Sequence, residues 1–404
     1  IYVLSRLLGL MAATMPQANG GVRSVWHWRL YGYVVAVFVL CYAPHAIHMI
    51  YTRMHFLRQN RLLLIVGLQH YVLLLLSTFI MLYTHTTRQL CFVRWLNKLL
   101  SCRRQLQQLL HGASTQHSLH TRHHLVVLCL LTVAIIGSSS HTMFILIHDT
   151  MAHSSAAYFA SIVFFYGLQL GLQVCLALYL LALLLISHLL HHCNLQLNRI
   201  LRDALHTHRT HLAGWGMPQR WRLHAAQQHW LALELWRLWR LHGRLWRLSH
   251  QLCALHSVQL LVFVLFAPFE CVIHGFFTYF VHFSRWFPRH NREHPKFNAF
   301  GLLYLCSLFL QLVLVITQTH RQRRLYCETR RSLRSAALAL PTDCSKALRQ
   351  TLELYGLQLQ LSERIYKLSA CGLFELNNGL LFGIMQAIIT YIIILIQFDK
   401  IIYT

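Results

Sequence analysis

Charge is scarce in this sequence. Only 12% of the 404 residues are charged, about half the roughly 25% that a soluble globular protein carries. Acidic residues are the rarest, with 11 Asp and Glu against 36 Lys and Arg, and the formal net charge is +25. The hydrophobic fraction is 56% and the mean hydropathy is +0.45. These values exclude a soluble globular protein and indicate a chain that crosses a membrane several times.

Several signatures of chemistry are also missing from the chain. It has no G-x-x-x-x-G-K-[ST], no H-E-x-x-H and no G-x-S-x-G motif, so neither a P-loop, a zinc peptidase site nor a hydrolase nucleophile elbow is indicated. It has no Asn-x-Ser/Thr sequon either. We therefore expect neither an enzyme nor a resident cofactor or metal.

Seven apolar segments are long enough to cross a bilayer, which takes about 20 residues of helix. The fourth and fifth exceed one span, so we expect them to continue as helix beyond the membrane. Because no internal repeat divides the chain, we predict one all-α membrane domain over residues 1–404. The predicted spans are residues 31–51, 62–83, 125–147, 158–187, 255–281, 297–318 and 373–398.

Basic residues are divided unevenly between the two sides of these spans. The N-terminus and every second connecting segment together hold 28 of the 36 Lys and Arg, and the remaining segments hold 8. Since basic residues concentrate on the cytosolic side, we predict a cytosolic N-terminus, an extracellular C-terminus and cytosolic helical extensions. A G-protein-coupled receptor has an external N-terminus, so this orientation argues against that class.

The predicted orientation also bears on partners. Anionic lipid of the cytosolic leaflet would attract most of the basic residues, so the net charge requires no nucleic acid. None of the 12 cysteines falls in a predicted external loop, and a disulfide framework is therefore not expected.

A leucine seam precedes the fifth span. Its members alternate steps of three and four residues, which is the a/d pattern of a helix that packs on other helices. The surrounding Trp and Arg residues leave a second interpretation open, that of a basic amphipathic helix lying on anionic lipid or binding calmodulin. The seam consists of Leu238, Leu241, Leu245, Leu248, Leu252 and Leu255.

The most informative motif closes the last span. Residues 390–398 read TYIIILIQF, which resembles the TYhhhhhQF signature of insect gustatory receptors. The predicted topology also matches the inverted topology of insect chemoreceptors. A looser upstream similarity covers residues 372–377. The resemblance therefore extends over the whole chain in topology and over the last span in sequence.

The resemblance implies a channel opened by a tastant. In insect chemoreceptor channels the last helix of each of four subunits surrounds the pore. Carried onto this chain, Ile394 and Phe398 would form the hydrophobic constriction, Gln397 would lie at the external mouth, and Thr390 and Tyr391 would belong to the same pore segment. The implied partners are a tastant, monovalent and divalent cations, membrane lipid and a homo- or heterotetramer in the plasma membrane of gustatory neurons.

The motif limits the class of tastant to two candidates. Sugar-type members of the family tend to have Glu directly after the Thr-Tyr pair, whereas this chain has Ile392. The resemblance therefore points to bitter compounds or to a divergent, fructose-like ligand.

Polar and aromatic residues in the outer halves of the spans are candidates for the ligand pocket. Glu270 lies well inside the fifth span, after Pro268 and one turn before His274, and an acid inside a membrane is by default a functional candidate. Otherwise, a helix break at Pro268 would leave Glu270 in water or paired with His274. The remaining candidates are also typical of interfacial belts or core packing: His70, Tyr71, Phe144, Tyr158, Phe159, Tyr166, Phe277, Tyr279, Phe300 and Tyr304.

Two histidine motifs, or boxes, suggest the main alternative function. His120, His123 and His124, and again His188, His191 and His192, have the spacing H-x-x-H-H. Membrane di-iron desaturases and hydroxylases look similar, because imidazoles can hold iron while leaving positions open for oxygen. A third box is missing at a suitable spacing, since His206, His208 and His211 do not fit, and the last span would have no purpose in such an enzyme.

Overall fold

The computed structural model describes residue 8 and residues 22–53, 61–110, 125–137, 139, 156–212, 218–283, 295–339, 346–365 and 369–403. Eight helices make up nearly all of this part of the chain. They are α1 (Trp26–Arg53), α2 (Arg61–Leu110), α3 (Leu125–Gly137), α4 (Ala156–Leu212), α5 (Pro218–Phe283), α6 (Pro295–Ala339), α7 (Lys346–Ile365) and α8 (Asn378–Tyr403).

Six of these helices are long and apolar enough to span a membrane, namely α1, α2, α4, α5, α6 and α8. This confirms the prediction of an all-helical membrane protein. The third predicted span, residues 125–147, is described as helix only over its first part, α3, and most of its remainder lies outside the described residues. Which end of the helices faces the cytosol stays a prediction.

The long helices continue past their predicted spans and pack together as one unit. We call this unit the extension bundle, comprising residues 84–110, 188–212, 218–254 and 319–339 of α2, α4, α5 and α6, together with α7. The leucine seam of α5 lies inside it, with Leu238, Leu245 and Leu252 at 0% exposure. The seam therefore packs on other helices of the same subunit, as its spacing predicts, and the alternative interpretation that it lies on lipid is wrong. Its apolar face is already covered by α2, α4, α6 and α7.

Helix α7 closes one side of the extension bundle. Leu348, Leu352 and Tyr355 occupy one face at steps of three and four residues and are all buried. The indole of Trp239 on α5 donates a hydrogen bond to the side-chain oxygen of Gln358. Burial raises the pKa of the Tyr355 hydroxyl well above its ordinary value, so this group stays neutral in the interior of the bundle.

Buried amides lock α4 onto α6 in the extension bundle. The side chain of Asn194 donates from Nδ2 to the carbonyl oxygen of Leu325 at 2.9 Å. Its Oδ1 accepts a hydrogen bond from the hydroxyl of Thr329. One layer away, Gln322 accepts from Ser249 and donates to the Leu183 carbonyl. These bonds fix the register of the helices, because a slip of one residue would leave buried polar atoms without partners.

Replacing Asn194 with alanine is expected to lower the free energy of unfolding by about 1–3 kcal/mol, because the Leu325 carbonyl and the Thr329 hydroxyl would lose a buried partner. The matched control is Asn198→Ala, one turn further along α4 on an exposed position. Thermal unfolding of the solubilised receptor measures both. Equal melting temperatures for the two variants would contradict the assignment.

The last helix begins later than the sequence suggests. Residues 373–377 were predicted to belong to the last span, but Ser369–Ala370 (β1) and Phe374–Glu375 (β2) pair as an antiparallel hairpin. Its turn places Cys371 and Gly372 at φ 53° and 77°, a left-handed region that glycine adopts without strain. The Oδ1 of Asn377 then accepts a hydrogen bond from the Leu380 amide at 3.0 Å, and this cap starts α8.

Candidate ligand site and pore helix

A buried carboxylate joins three helices inside the membrane-spanning part. Glu270 on α5 has no exposed surface. Its Oε1 lies 2.7 Å from Nδ1 of His70 on α2, and its Oε2 accepts a hydrogen bond from the Tyr304 hydroxyl of α6 at 3.2 Å. Nε2 of His274, one turn along α5, lies 3.4 Å from the same Oε2. We call Glu270, His70, His274 and Tyr304 the polar cluster.

Helix α5 carries Glu270 without interruption. Pro268 lies inside the helix, which continues to Phe283, so the break at this proline, which belonged to the alternative interpretation, is not present. The pairing of Glu270 with His274 is present. Because the helix continues, Glu270 and His274 stay one turn apart on the same face and meet His70 together.

The other residues predicted for the pocket are more dispersed. The ring of Tyr71 lies 5.0 Å from His70 and 4.6 Å from Phe165. On α4, Tyr158 is buried in a hydrophobic cluster with α1 and α2, Tyr166 is half-buried, and Phe159 is 43% exposed. Tyr279 packs against Phe276. Phe144 and the side chains of Phe277 and Phe300 lie outside the described part of the chain.

A second polar layer, absent from the sequence-based predictions, lies at the boundary between the membrane-spanning part and the extension bundle. Nε2 of Gln259 approaches Nδ1 of His85 at 3.2 Å, and the ring of His256 lies 6.2 Å from that of His85. His256 and Gln259 also line a cavity of about 20 Å³ between α2, α4 and α5, which is room for about one water molecule. A signal for it was present on α5, where His256 and Gln259 lie at the start of an apolar stretch, whereas His85 lies in a run of polar residues.

Helix α8 is the least covered helix of the membrane-spanning set. Only 6% of the residues in its 18-residue apolar stretch are buried, against 72% for the corresponding stretch of α4. It contacts its own chain along one strip, in which Ile384 is buried and Ile392 meets Gly275 of α5. Successive residues of an α-helix are rotated by about 100°. Ile394, two residues after Ile392, is therefore rotated by about 200° and lies nearly opposite it.

The exposed face of α8 contains the predicted pore residues. Tyr391 is 59% exposed, Phe398 is 53% exposed and Ile394 is 36% exposed. Thr390 and Gln397 are exposed as well, and the Thr390 hydroxyl donates to the Gln386 carbonyl of its own helix at 2.9 Å. An apolar face of this size that its own chain leaves uncovered indicates a surface for other protein or for lipid.

One of the two H-x-x-H-H histidine motifs lies in the described part of the chain. His120, His123 and His124 lie outside the described residues. His188, His191 and His192 lie on α4, with the rings of His188 and His192 4.5 Å apart. Among the described residues, three potential metal ligands come close together at His70, Glu270 and His274. His188, His191 and His192 do not belong to that group.

Comparison with known proteins decides the family. The model of the 7tm chemosensory receptor family matches residues 1–402. The chain belongs to this family. It is 40% identical over 407 residues to the protein named "Putative gustatory receptor 77a" of Drosophila melanogaster, with 99% of this chain and 91% of that protein covered.

The fold of this chemosensory receptor is similar to that of a solved relative. The insect olfactory receptor OR5 from Machilis hrabei matches it with a TM-score of 0.65 over 98% of this chain and 96% of the other, at 12% identity. These findings confirm membership of the insect gustatory receptor family, whose members are ligand-gated channels. They lend no support to a di-iron enzyme or a G-protein-coupled receptor.

Proposed function

We propose that this gustatory receptor is a tastant-gated, non-selective cation channel in the plasma membrane of gustatory sensory neurons. Four copies, or this chain together with related subunits, would surround a central pore lined by α8. The observation that carries the proposal is the uncovered face of α8, where Thr390, Ile394, Gln397 and Phe398 point away from the strip that packs on α5. Ile394 and Phe398 would form a constriction that closes the pore by excluding water.

The tastant would bind around the polar cluster. Pockets for small molecules are mostly apolar with a few fixed polar groups, and His70 and His274 present partly exposed imidazoles beside the aromatic side chain of Tyr71. In this proposal Tyr158, Phe159 and Tyr166 belong to the apolar walls. The ligand would be a bitter compound or a fructose-like sugar, held by hydrogen bonds to the imidazoles.

A direct contact would couple this pocket to the gate. Gly275 follows His274, and a side chain at Gly275 would meet Cδ1 of Ile392 on α8 at 2.8 Å. A shift of His274 on ligand binding would therefore reach the pore helix across one van der Waals contact. A ligand favours the open arrangement only by the difference in its affinity for the two states, so this contact needs to differ between them.

Enlarging Gly275 tests the coupling. Gly275→Val would crowd Cδ1 of Ile392, the far end of a flexible side chain, and is expected to disturb the packing of α8 on α5 and lower the tastant-evoked current. Overpacking costs about 1–3 kcal/mol, and the lower end applies because the Ile392 side chain can rotate. Since 1.4 kcal/mol corresponds to roughly a tenfold change in an equilibrium, we expect a current at saturating tastant that is smaller by roughly fivefold. Gly167→Val is the matched control, because nothing lies within 4 Å of the added carbon.

The measurement is whole-cell current normalised to receptor at the cell surface. Equal currents in the Gly275→Val variant and in the wild type would show that the contact does not transmit gating. An equal loss in the Gly167→Val control would show that the effect is one of helix stability.

Whole-cell recording with a panel of bitter compounds and sugars, fructose included, tests the proposed function itself. We expect one class to evoke a current that reverses close to zero voltage and is carried by both monovalent and divalent cations. Cells that carry the receptor at their surface, alone and with co-expressed related subunits, should be compared with untransfected cells. A complete lack of evoked current in all of these combinations would overturn the proposal.

A further inference from the structure

We propose that His70, Glu270 and His274 bind a divalent transition-metal ion of the zinc class. One ligand atom from each residue lies within 4.8 Å of the other two. His70 lies on α2, whereas Glu270 and His274 lie on α5, and His70 and Glu270 are separated by 200 positions in the chain. A bound ion would therefore bridge the two helices at the level of the polar cluster.

The residue types suit such an ion. Zinc binds histidine nitrogen and carboxylate oxygen at about 2.0–2.2 Å in tetrahedral geometry, and sites with two histidines and one glutamate keep a fourth position for water or a small ligand. Those bond lengths place neighbouring ligand atoms about 3.3 Å apart. Nδ1 of His70 lies 2.7 Å from Oε1 of Glu270, Nε2 of His274 lies 3.4 Å from its Oε2, and one ligand atom from each residue lies within 4.8 Å of the others. Side-chain rotations that bring the two nitrogens and one carboxylate oxygen to this spacing would complete the site.

The surroundings hold the ligands in position. Tyr304, which is 1% exposed, donates its hydroxyl to Oε2 of Glu270, and partners of this kind orient a metal-binding carboxylate. The ring of His274 packs on that of Tyr304 at 4.5 Å, and the ring of His70 packs on that of Tyr71 at 5.0 Å. The side chains of His70 and His274 remain 21% and 19% exposed, so the cluster is not fully enclosed by its own chain.

The charge of Glu270 also favours a cation. A buried carboxylate is costly unless it is paired or coordinates a metal. The partners of Glu270 are two imidazoles and a phenol, and none of these carries a permanent positive charge. A divalent ion would supply that charge and release the imidazole protons that otherwise face the carboxylate.

Cobalt binding to the purified full-length receptor tests the proposal without any recording of current. The receptor is held in detergent or in lipid nanodiscs, stripped with a chelator and titrated with Co²⁺, whose visible absorption reports tetrahedral coordination. We expect each chain to bind one equivalent of Co²⁺ tightly, and Zn²⁺ to displace it. His70→Gln and His274→Gln should each abolish this binding, and Tyr304→Phe should weaken it by about 10–100-fold as an outer partner.

His85→Gln is the matched control, because His85 is another buried imidazole of α2 that faces α5 but lies outside the cluster. It should leave the tight equivalent unchanged. The proposal is overturned if the wild type shows no tight equivalent, or if the His70 and His274 variants keep it. Because the readout is binding, its failure would leave the channel proposal standing, and a silent channel would leave the metal site standing.

Discussion

Replacing Phe398 with serine is expected to raise the current in the absence of tastant by roughly tenfold or more. Hydration of the pore is disfavoured where apolar side chains narrow it. Burial of a phenylalanine side chain stabilises an apolar contact by about 1.5–3 kcal/mol, which the closed state would lose in the serine variant. A change of 1.4 kcal/mol shifts an equilibrium by a factor of about ten. In a homotetramer four copies change at once, so the closed state loses more than one such contribution. Ile394→Ser should act in the same direction with a smaller effect.

The control for this experiment lies on the same helix. Ile389 is 54% exposed but lies about 140° around α8 from Ile394, so Ile389→Ser makes the same chemical change away from the proposed constriction. Resting current should be recorded from cells matched for surface receptor. If all three serine variants leave the resting current at the wild-type level, Ile394 and Phe398 do not form the gate.

Replacing Glu270 with alanine is expected to cost about 3 kcal/mol of stability. Removing one partner of a buried charged pair typically costs about 3–5 kcal/mol, and the lower end applies here because an imidazole can release its proton. His70, His274 and Tyr304 would all lose the acceptor that joins α2, α5 and α6. The Glu270→Gln variant keeps one acceptor oxygen and should fall between alanine and the wild type.

The melting temperature of chelator-treated receptor measures this effect, since the chelator removes any contribution from a bound ion. Glu353→Ala is the matched control. Glu353 pairs with Arg349 at 3.2 Å in an exposed pair on α7, and such pairs contribute about 0.3–0.5 kcal/mol. Similar melting temperatures for the two alanine variants would show that the polar cluster does not support the fold.

Apolar length and periodicity were enough to predict much of this fold. A helix in lipid has to satisfy its own backbone, so spans are read from hydropathy, and the leucine spacing of α5 predicted its packed face. This reliance on hydropathy also placed the start of α8 too early. Leu373, Phe374 and Leu376 look like part of a span by hydropathy, whereas the hairpin depends on the backbone at Cys371 and Gly372 and on the Asn377 cap.

Long-range polar contacts were harder to predict. The spacing of Glu270 and His274, one helical turn apart, predicted that they are neighbours. The contact of Glu270 with His70, however, depends on how α2 packs against α5. The bonds of Asn194 to Thr329 and Leu325 were missed because a lone amide in a helical stretch carries no periodic signal. Side-chain partners of this kind are fixed by tertiary packing and not by spacing along the chain.

The uncovered face of α8 also bears on which subunits can share one channel. Residues 379–398 contain no charged side chain, and specific pairing between helices usually depends on charges or buried polar groups that reject the wrong partner. Apart from Thr390, Tyr391 and Gln397, the named residues of this face are apolar, so it has few groups with which to discriminate. In the proposed assembly, selection among related subunits would therefore fall to contacts away from the pore helix, and one pore could combine chains encoded by different genes.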